Sequence, residues 1–184
     1  YNLKESEYLC LQVAGAHGKL TPKILPIKKL NSLILKLSKL KYKIILLGTK
    51  NEKKCLDNII TTENTLSLIG KTNAQELSTL MNFAQYSICN DSGLLHLADS
   101  LRANVIGLFG PTNLDKNKPL NRSSIIIYNK PLCGGCIKGW NIKGYKYLDE
   151  EAALKNCNFC YDSMNTIDEN KIVNIIKGIN EKKI

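Results

Sequence analysis

The feature that most constrains this chain is a rhythm. Short apolar runs closed by small residues alternate with longer segments whose apolar residues recur at helical spacing. A fully apolar run of five or so residues suits a strand buried on both faces, and an intervening helix is the usual way to return the chain for a parallel neighbour. Tyr8 to Ala14 is the first such run and stops at Gly15. Leu30, Leu33, Ile34, Leu37 and Leu40 then mark one face of a helix starting near Pro26. Lys43 to Leu47 and Leu66 to Ile69 end at Gly48 and Gly70, with Cys55, Leu56, Ile59 and Ile60 predicting a short helix between them. Thr72 to Gln75 has the spacing of a capping box, ahead of a stripe at Leu77, Leu80 and Met81. Further strands are predicted over Tyr86 to Cys89, Val105 to Phe109 and Ser124 to Tyr128, with a helix over Gly93 to Arg102. Thr166 to Glu169 is a second capping box, opening a closing helix through Ile172, Val173, Ile175, Ile176 and Ile179. The expected fold is α/β: a Rossmann-like, doubly wound parallel sheet formed by residues 1–128 and 166–184, interrupted by an irregular, cysteine-rich insert over 129–165.

With 184 residues, 43% of them hydrophobic and 23% charged, the composition is that of an ordinary globular domain and not of a disordered or fibrous chain. No apolar run approaches the roughly 20 residues of a membrane span, and the first residues lack the order of a secretion signal. The formal charge of +10 comes from 26 Lys and Arg against 16 Asp and Glu, yet only Arg102 and Arg122 are arginines. Readers of nucleic acid favour arginine forks and interleaved aromatics. Scattered lysines instead suit solvated helix faces, an anionic substrate or an anionic membrane surface.

Chemistry concentrates at one predicted strand-to-helix junction. In an open α/β sheet, ligands bind beyond the carboxyl ends of the strands, where helix N-termini present free amides. The segment Cys89-Asn90-Asp91-Ser92-Gly93-Leu94-Leu95-His96 lies at such a point. Asp91 or Ser92 can cap the helix, Gly93 carries no Cβ to hold a phosphate away, and His96 falls one turn beyond Ser92 on the same face. Read alone, the segment could equally be a turn and cap with a partly buried histidine. The next predicted strand, Val105 to Phe109, also runs into a small-residue turn, Gly110-Pro111-Thr112.

Asn90-Asp-Ser-Gly-Leu-Leu-His-Leu-Ala98 followed by Val105-Ile-Gly-Leu-Phe-Gly-Pro-Thr112 resembles the signature of the heptosyltransferase family (glycosyltransferase family nine), which builds the inner core of bacterial lipopolysaccharide. Ile69-Gly-Lys-Thr-Asn-Ala-Gln-Glu-Leu77 is similar to the family segment ahead of that signature, and Gln12-Val-Ala-Gly-Ala16 with Lys23-Ile-Leu-Pro26 to its small-residue turn and basic element. The likeness runs over about residues 8–128. It implies a GT-B glycosyltransferase, of which this chain is the carboxyl-terminal, donor-binding half. The absence of an initiator Met before Tyr1 fits an amino-terminal acceptor domain lying outside the sequence.

The resemblance further implies that Asp91, Ser92, Gly93 and His96 contact the diphosphate and sugar of a donor such as ADP-heptose, with Lys23 and Thr112 beside them. Ala16 and His17 stand where hydroxyl residues often touch the phosphates, and Lys50 stands in the loop facing the nucleoside, at a position acidic in some members. Leu25 replaces the tryptophan that usually precedes Pro26. The implied chemistry needs no catalytic metal. Its general base belongs to the amino-terminal domain, so no catalytic residue is expected in this chain, which is expected to be inactive alone. The implied partners are a nucleotide-diphosphate sugar, a lipid-linked glycan acceptor, the enzyme's own amino-terminal domain and the inner-membrane surface, from a cytoplasmic location and without nucleic acid.

Cys133, Cys136, Cys157 and Cys160 form two Cys-x2-Cys pairs 20 residues apart, the spacing of a tetrahedral structural zinc site. Unliganded thiols or a redox role are the alternatives. Trp140, Tyr145 and Tyr147 lie between the pairs among lysines, which leaves a zinc-ribbon module binding nucleic acid or protein as the rival function. Cys10, Cys55 and Cys89 fall on apolar faces and read as core thiols.

Overall fold

The computed structural model describes residues 2–14, 23–51, 58–130 and 158–178. Six parallel strands make one sheet in the order β3-β2-β1-β4-β5-β6. They are β1 (Tyr8–Gln12), β2 (Lys43–Leu47), β3 (Thr65–Ser67), β4 (Tyr86–Asn90), β5 (Val105–Phe109) and β6 (Ile125–Tyr128). Among the described residues the helices are α1 (Ile27–Leu37), α2 (Ala74–Phe83), α3 (Gly93–Ser100), α4 (Leu114–Asn117), α5 (Asn158–Asn165) and α6 (Glu169–Ile176). The strand order reverses between β1 and β4, so their carboxyl ends diverge into the crevice where such sheets take ligands.

Apolar residues cover both faces of the sheet. Leu9 and Leu11 of β1 share one layer with Leu30, Leu33, Ile34 and Leu37 of α1 and with Ile172 and Ile176 of α6. Tyr8 and Cys10, pointing the other way, join Met81 of α2 and Leu95 and Ala98 of α3. Alternation along β1 thus divides its residues between the two layers. Burial pushes the Cys10 thiol up to about 12; the Cys89 thiol is raised too, by burial first and then by Cys10. Both are inert core thiols. Cys55 lies outside the described residues.

The predicted elements hold with local shifts. β2 and β5 have their expected bounds, whereas β1 stops at Gln12, α3 stops at Ser100, and β3 occupies Thr65–Ser67. The cap of α2 is displaced by one residue: Asn73 Oδ1 accepts from the Glu76 amide at 2.9 Å and Glu76 Oε2 accepts from the Asn73 amide at 2.8 Å. At α6 the cap is Asp168, whose carboxylate accepts from the Asn170 amide at 2.9 Å, while Thr166 Oγ1 donates back to the Asp162 and Ser163 carbonyls. Neighbouring Asn, Asp and Thr residues all make good caps, so an offset of one or two residues keeps a capped helix start. Ile59 and Ile60 lie outside any helix and pack partly against the core. In the stretch expected to be irregular, α5 returns the chain to the sheet and buries Met164 in the first layer.

Candidate functional site

The carboxyl ends of β1 and β4 are joined by buried polar groups. Gln12, the last residue of β1, is 5% exposed, and its side chain spans the divergence of the two strands. Its Oε1 accepts from the Asn90 amide at 3.1 Å and from Ser92 Oγ at 2.9 Å, while its Nε2 donates to the Ala14 carbonyl at 2.6 Å. An amide on one side and a carbonyl on the other fix which way round the carboxamide stands. Asn90 Oδ1 in turn accepts from the Leu25 amide at 3.2 Å, and Lys23 Nζ lies 3.0 Å from Asp91 Oδ2. Asn90 and Asp91 are therefore tied to the connection between β1 and α1, and Ser92 to the end of β1 itself. Leu25 anchors that connection from below: at 2% exposed it belongs to the core layer under α1.

Above this bracket, α3 starts unusually. Ser92 occupies its N-cap position with extended backbone (φ −157°, ψ 175°), but no side-chain cap is formed. The expected capping by Asp91 or Ser92 does not occur, because the Ser92 hydroxyl is committed to Gln12 and Asp91 to Lys23. The Leu95 amide donates to the Ser92 carbonyl at 3.1 Å, and the Gly93 and Leu94 amides are left without a side-chain cap among the described residues. A Cβ built on Gly93 would have no heavy atom within 4 Å, so the fold itself does not require glycine there. His96 is exposed on the following turn, which removes the alternative of a buried, satisfied histidine.

Thr112, beyond β5, is 4% exposed and its Oγ1 has no hydrogen-bond partner among the described residues; there Asp91 Oδ2 likewise makes its ion-pair contact without a well-aligned hydrogen bond. Buried polar atoms in this condition are uncommon, and each calls for a partner beyond the described residues. Lys50 is exposed past the end of β2. Its backbone is held by Gly70, whose φ of +67° suits glycine and whose Cβ, if present, would lie 2.9 Å from Lys50 Cα. Of the other expected site residues, Ala16 and His17 lie outside the described residues, as do Cys133, Cys136 and Cys157; for Cys160 only its backbone, in α5, is described. No group of three or more His, Cys, Asp or Glu able to hold a metal occurs among the described residues.

Gln12 was not among the expected site residues. One polar residue in an apolar strand is its only sequence signal. Asn90 sat inside the signature, but nothing in the sequence indicated that it would clamp Leu25.

The geometry of an open helix N-terminus at the switch point can be set beside known proteins. The family model described as glycosyltransferase family 9 (heptosyltransferase) matches residues 5–146. The chain belongs to that family. Lipopolysaccharide heptosyltransferase 2 of Escherichia coli K12 is 26% identical over 129 residues, covering 61% of this chain and 37% of that protein. Among solved structures, the E. coli ADP-heptose lipopolysaccharide heptosyltransferase II superposes with a TM-score of 0.64 at 18% identity, covering 96% of this chain and 49% of that one. The dodecameric iron-containing heptosyltransferase TibC, in complex with ADP-D-β-D-heptose, gives a TM-score of 0.68 at 18% identity, covering 98% of this chain and 47% of that one. At these identities the superpositions speak for the fold. The chain spans about half the length of the family-9 structures and a smaller share of the curated relative.

Proposed function

We propose that this chain is the donor-binding half of a heptosyltransferase, seating the diphosphate of a nucleotide sugar, ADP-heptose in the first instance, for transfer to a lipopolysaccharide inner-core or related glycan. The observation that carries the reading is the uncapped first turn of α3 beside Lys23 and Asp91 at the β1/β4 switch point. A departing nucleotide diphosphate gains negative charge as the bond to the sugar's anomeric carbon breaks. Fixed donors placed where that charge develops lower the barrier. Here the donors are the α3 amides, the Lys23 ammonium and the imidazole of His96, with Ser92, Gly93 and Thr112 shaping the seat, Ala16 and His17 on the phosphate side and Lys50 on the nucleoside side. The acceptor hydroxyl attacks the anomeric carbon and loses its proton to a carboxylate across the cleft. We assign that base to an amino-terminal domain outside these 184 residues, so the 184-residue chain binds donor without transferring it.

We further propose that residues 129–165 form an insert and that Cys133, Cys136, Cys157 and Cys160 hold a structural metal. Four thiolates make a closed tetrahedral set suited to zinc, and also to iron, which TibC contains. No described helix is long and apolar enough to cross a membrane. A charge of +10 carried by lysines supports work from the cytoplasm against an anionic inner leaflet, where a lipid-linked acceptor lies.

Thermal unfolding with ADP, GDP, UDP and a single-stranded oligonucleotide tests the reading. A nucleoside diphosphate, ADP foremost, raises the midpoint, since a ligand of the native state adds RT ln(1 + [L]/Kd) of stability. Stabilisation by the oligonucleotide alone overturns the reading. Elemental analysis for zinc and iron in protein purified without chelator tests the cysteines; fewer than about one metal per four chains counts against the site, which requires one tetrahedral ion per chain.

A further inference from the structure

Ser92 has both the residue type and the backbone conformation of a strong N-cap, yet its hydroxyl donates to Gln12 Oε1 at 2.9 Å and makes no cap. Serine at this position ordinarily turns its oxygen onto the amide of the second or third helical residue, here Leu94 or Leu95. The rival partner is an unusually firm one. Gln12 is buried and held at its other end by the Ala14 carbonyl, and its oxygen is shared with the Asn90 amide, so it cannot swing away without leaving a buried donor unpaired. Among the described residues two further buried atoms, Asp91 Oδ2 and Thr112 Oγ1, lack aligned hydrogen bonds at the ends of β4 and β5.

We propose that Gln12 is a positioning residue that draws the Ser92 hydroxyl off the first turn of α3 and so keeps the helix amides open to the donor diphosphate. It acts through Ser92 and not by touching the ligand. A carboxamide suits the task, because it accepts from Ser92 and Asn90 while donating to Ala14, and carries no charge to repel an anion. The proposal rests on the reading of this site as a diphosphate seat, but its first consequence concerns the protein without ligand.

The experiment follows residue-level amide exchange and ADP affinity in the full chain, for the wild type, Gln12→Met, Ser92→Ala and the double variant. Once Gln12 is lost, the Ser92 hydroxyl is released to cap. The Leu94 amide, which exchanges freely in the nucleotide-free wild type, slows by about fivefold in Gln12→Met, the equilibrium worth of one cap. ADP binding weakens by a similar factor of about fivefold, whereas Gln12→Met placed on Ser92→Ala shifts it less than about twofold, because the competing hydroxyl is gone. An equal loss of ADP affinity in both backgrounds, or unchanged Leu94 exchange in Gln12→Met, overturns the proposal. Should Gln12→Met fail to fold, the wild type decides: a Leu94 amide already protected without nucleotide overturns the proposal, and free exchange that ADP suppresses supports it. Free exchange with no response to any nucleoside diphosphate is a failure of the functional reading, and the change in exchange between wild type and Gln12→Met still decides what Gln12 does to Ser92.

Discussion

The two ends of α3 each bury an aspartate, and the contrast between them separates architecture from function. Asp99, 8% exposed near the carboxyl end, is surrounded by donors: the Leu120 amide at 2.9 Å, the Asn121 amide at 3.2 Å and Ser124 Oγ at 2.9 Å. Its negative charge sits at the end of the helix that disfavours anions, and these donors offset the penalty while they fasten the connection into β6. Asp91, 7% exposed at the amino end, has Lys23 at 3.0 Å and an oxygen without a well-aligned hydrogen bond. A carboxylate that the fold satisfies completely holds the fold. One that the described residues satisfy incompletely, beside an uncapped helix start, is free of that structural duty and fits the proposed donor site.

That contrast is broken most directly at Asp99. Asp99→Ala strands two backbone amides and a hydroxyl, and should cost about 3 kcal/mol, read as a fall in the urea midpoint at constant slope. Asp91→Ala should do the reverse, lowering stability little while weakening ADP binding about tenfold, or about 1.4 kcal/mol. If the two substitutions proved equally destabilising and Asp91→Ala left ADP binding intact, the division between the ends of the helix would be wrong.

Glu169 supplies an intermediate case. Burial pushes its pKa up, but its own backbone amide, hydrogen bonds from Lys29 and Ser32 and the charge of Lys29 outweigh burial and hold the carboxyl below the usual range. Lys29 Nζ lies 3.1 Å from Glu169 Oε2 and Lys36 Nζ 3.8 Å, which joins α1 to α6. A depressed folded-state value means stability that is present above the unfolded value, near 4.3, and is lost as pH falls through it and then through the folded one. Glu169→Gln should therefore lower stability by about 1 kcal/mol at pH 7, discounted for the partly exposed lysines, and the difference from wild type should vanish in acid. The smallest effect belongs to His96→Ala. The residue is exposed, so stability should stay within about 0.5 kcal/mol while ADP binding weakens.

Much of this is legible in the sequence. β5 and all of β2 after Lys43 are apolar runs followed by glycine, and such runs are legible without tertiary information. The junction at Asn90 announced itself by small residues in a pattern that few folds require. α5 did not: Asn158–Asn165 is polar with only scattered apolar residues, and what fixes it is packing of Met164 against a sheet formed by residues far earlier in the chain. Asp99 and Gln12 were hidden for the same reason. An aspartate on an amphipathic helix and a glutamine in a strand look like solvent-facing positions until the segments that meet them are in place. The capping error at α2 differs in kind, since Thr72 and Asn73 are competing caps one residue apart.

The hydrogen bond from Asn129 Nδ2 to Thr166 Oγ1, 3.3 Å long, brings together two residues 37 positions apart. The ends of the span between them therefore lie close together, with α5 packed on the sheet at its far end, and closing a flexible loop costs only about 0.6 kcal/mol more for each doubling of its length. A change of length between Lys130 and Asn158 therefore leaves β6, α5 and α6 in their places.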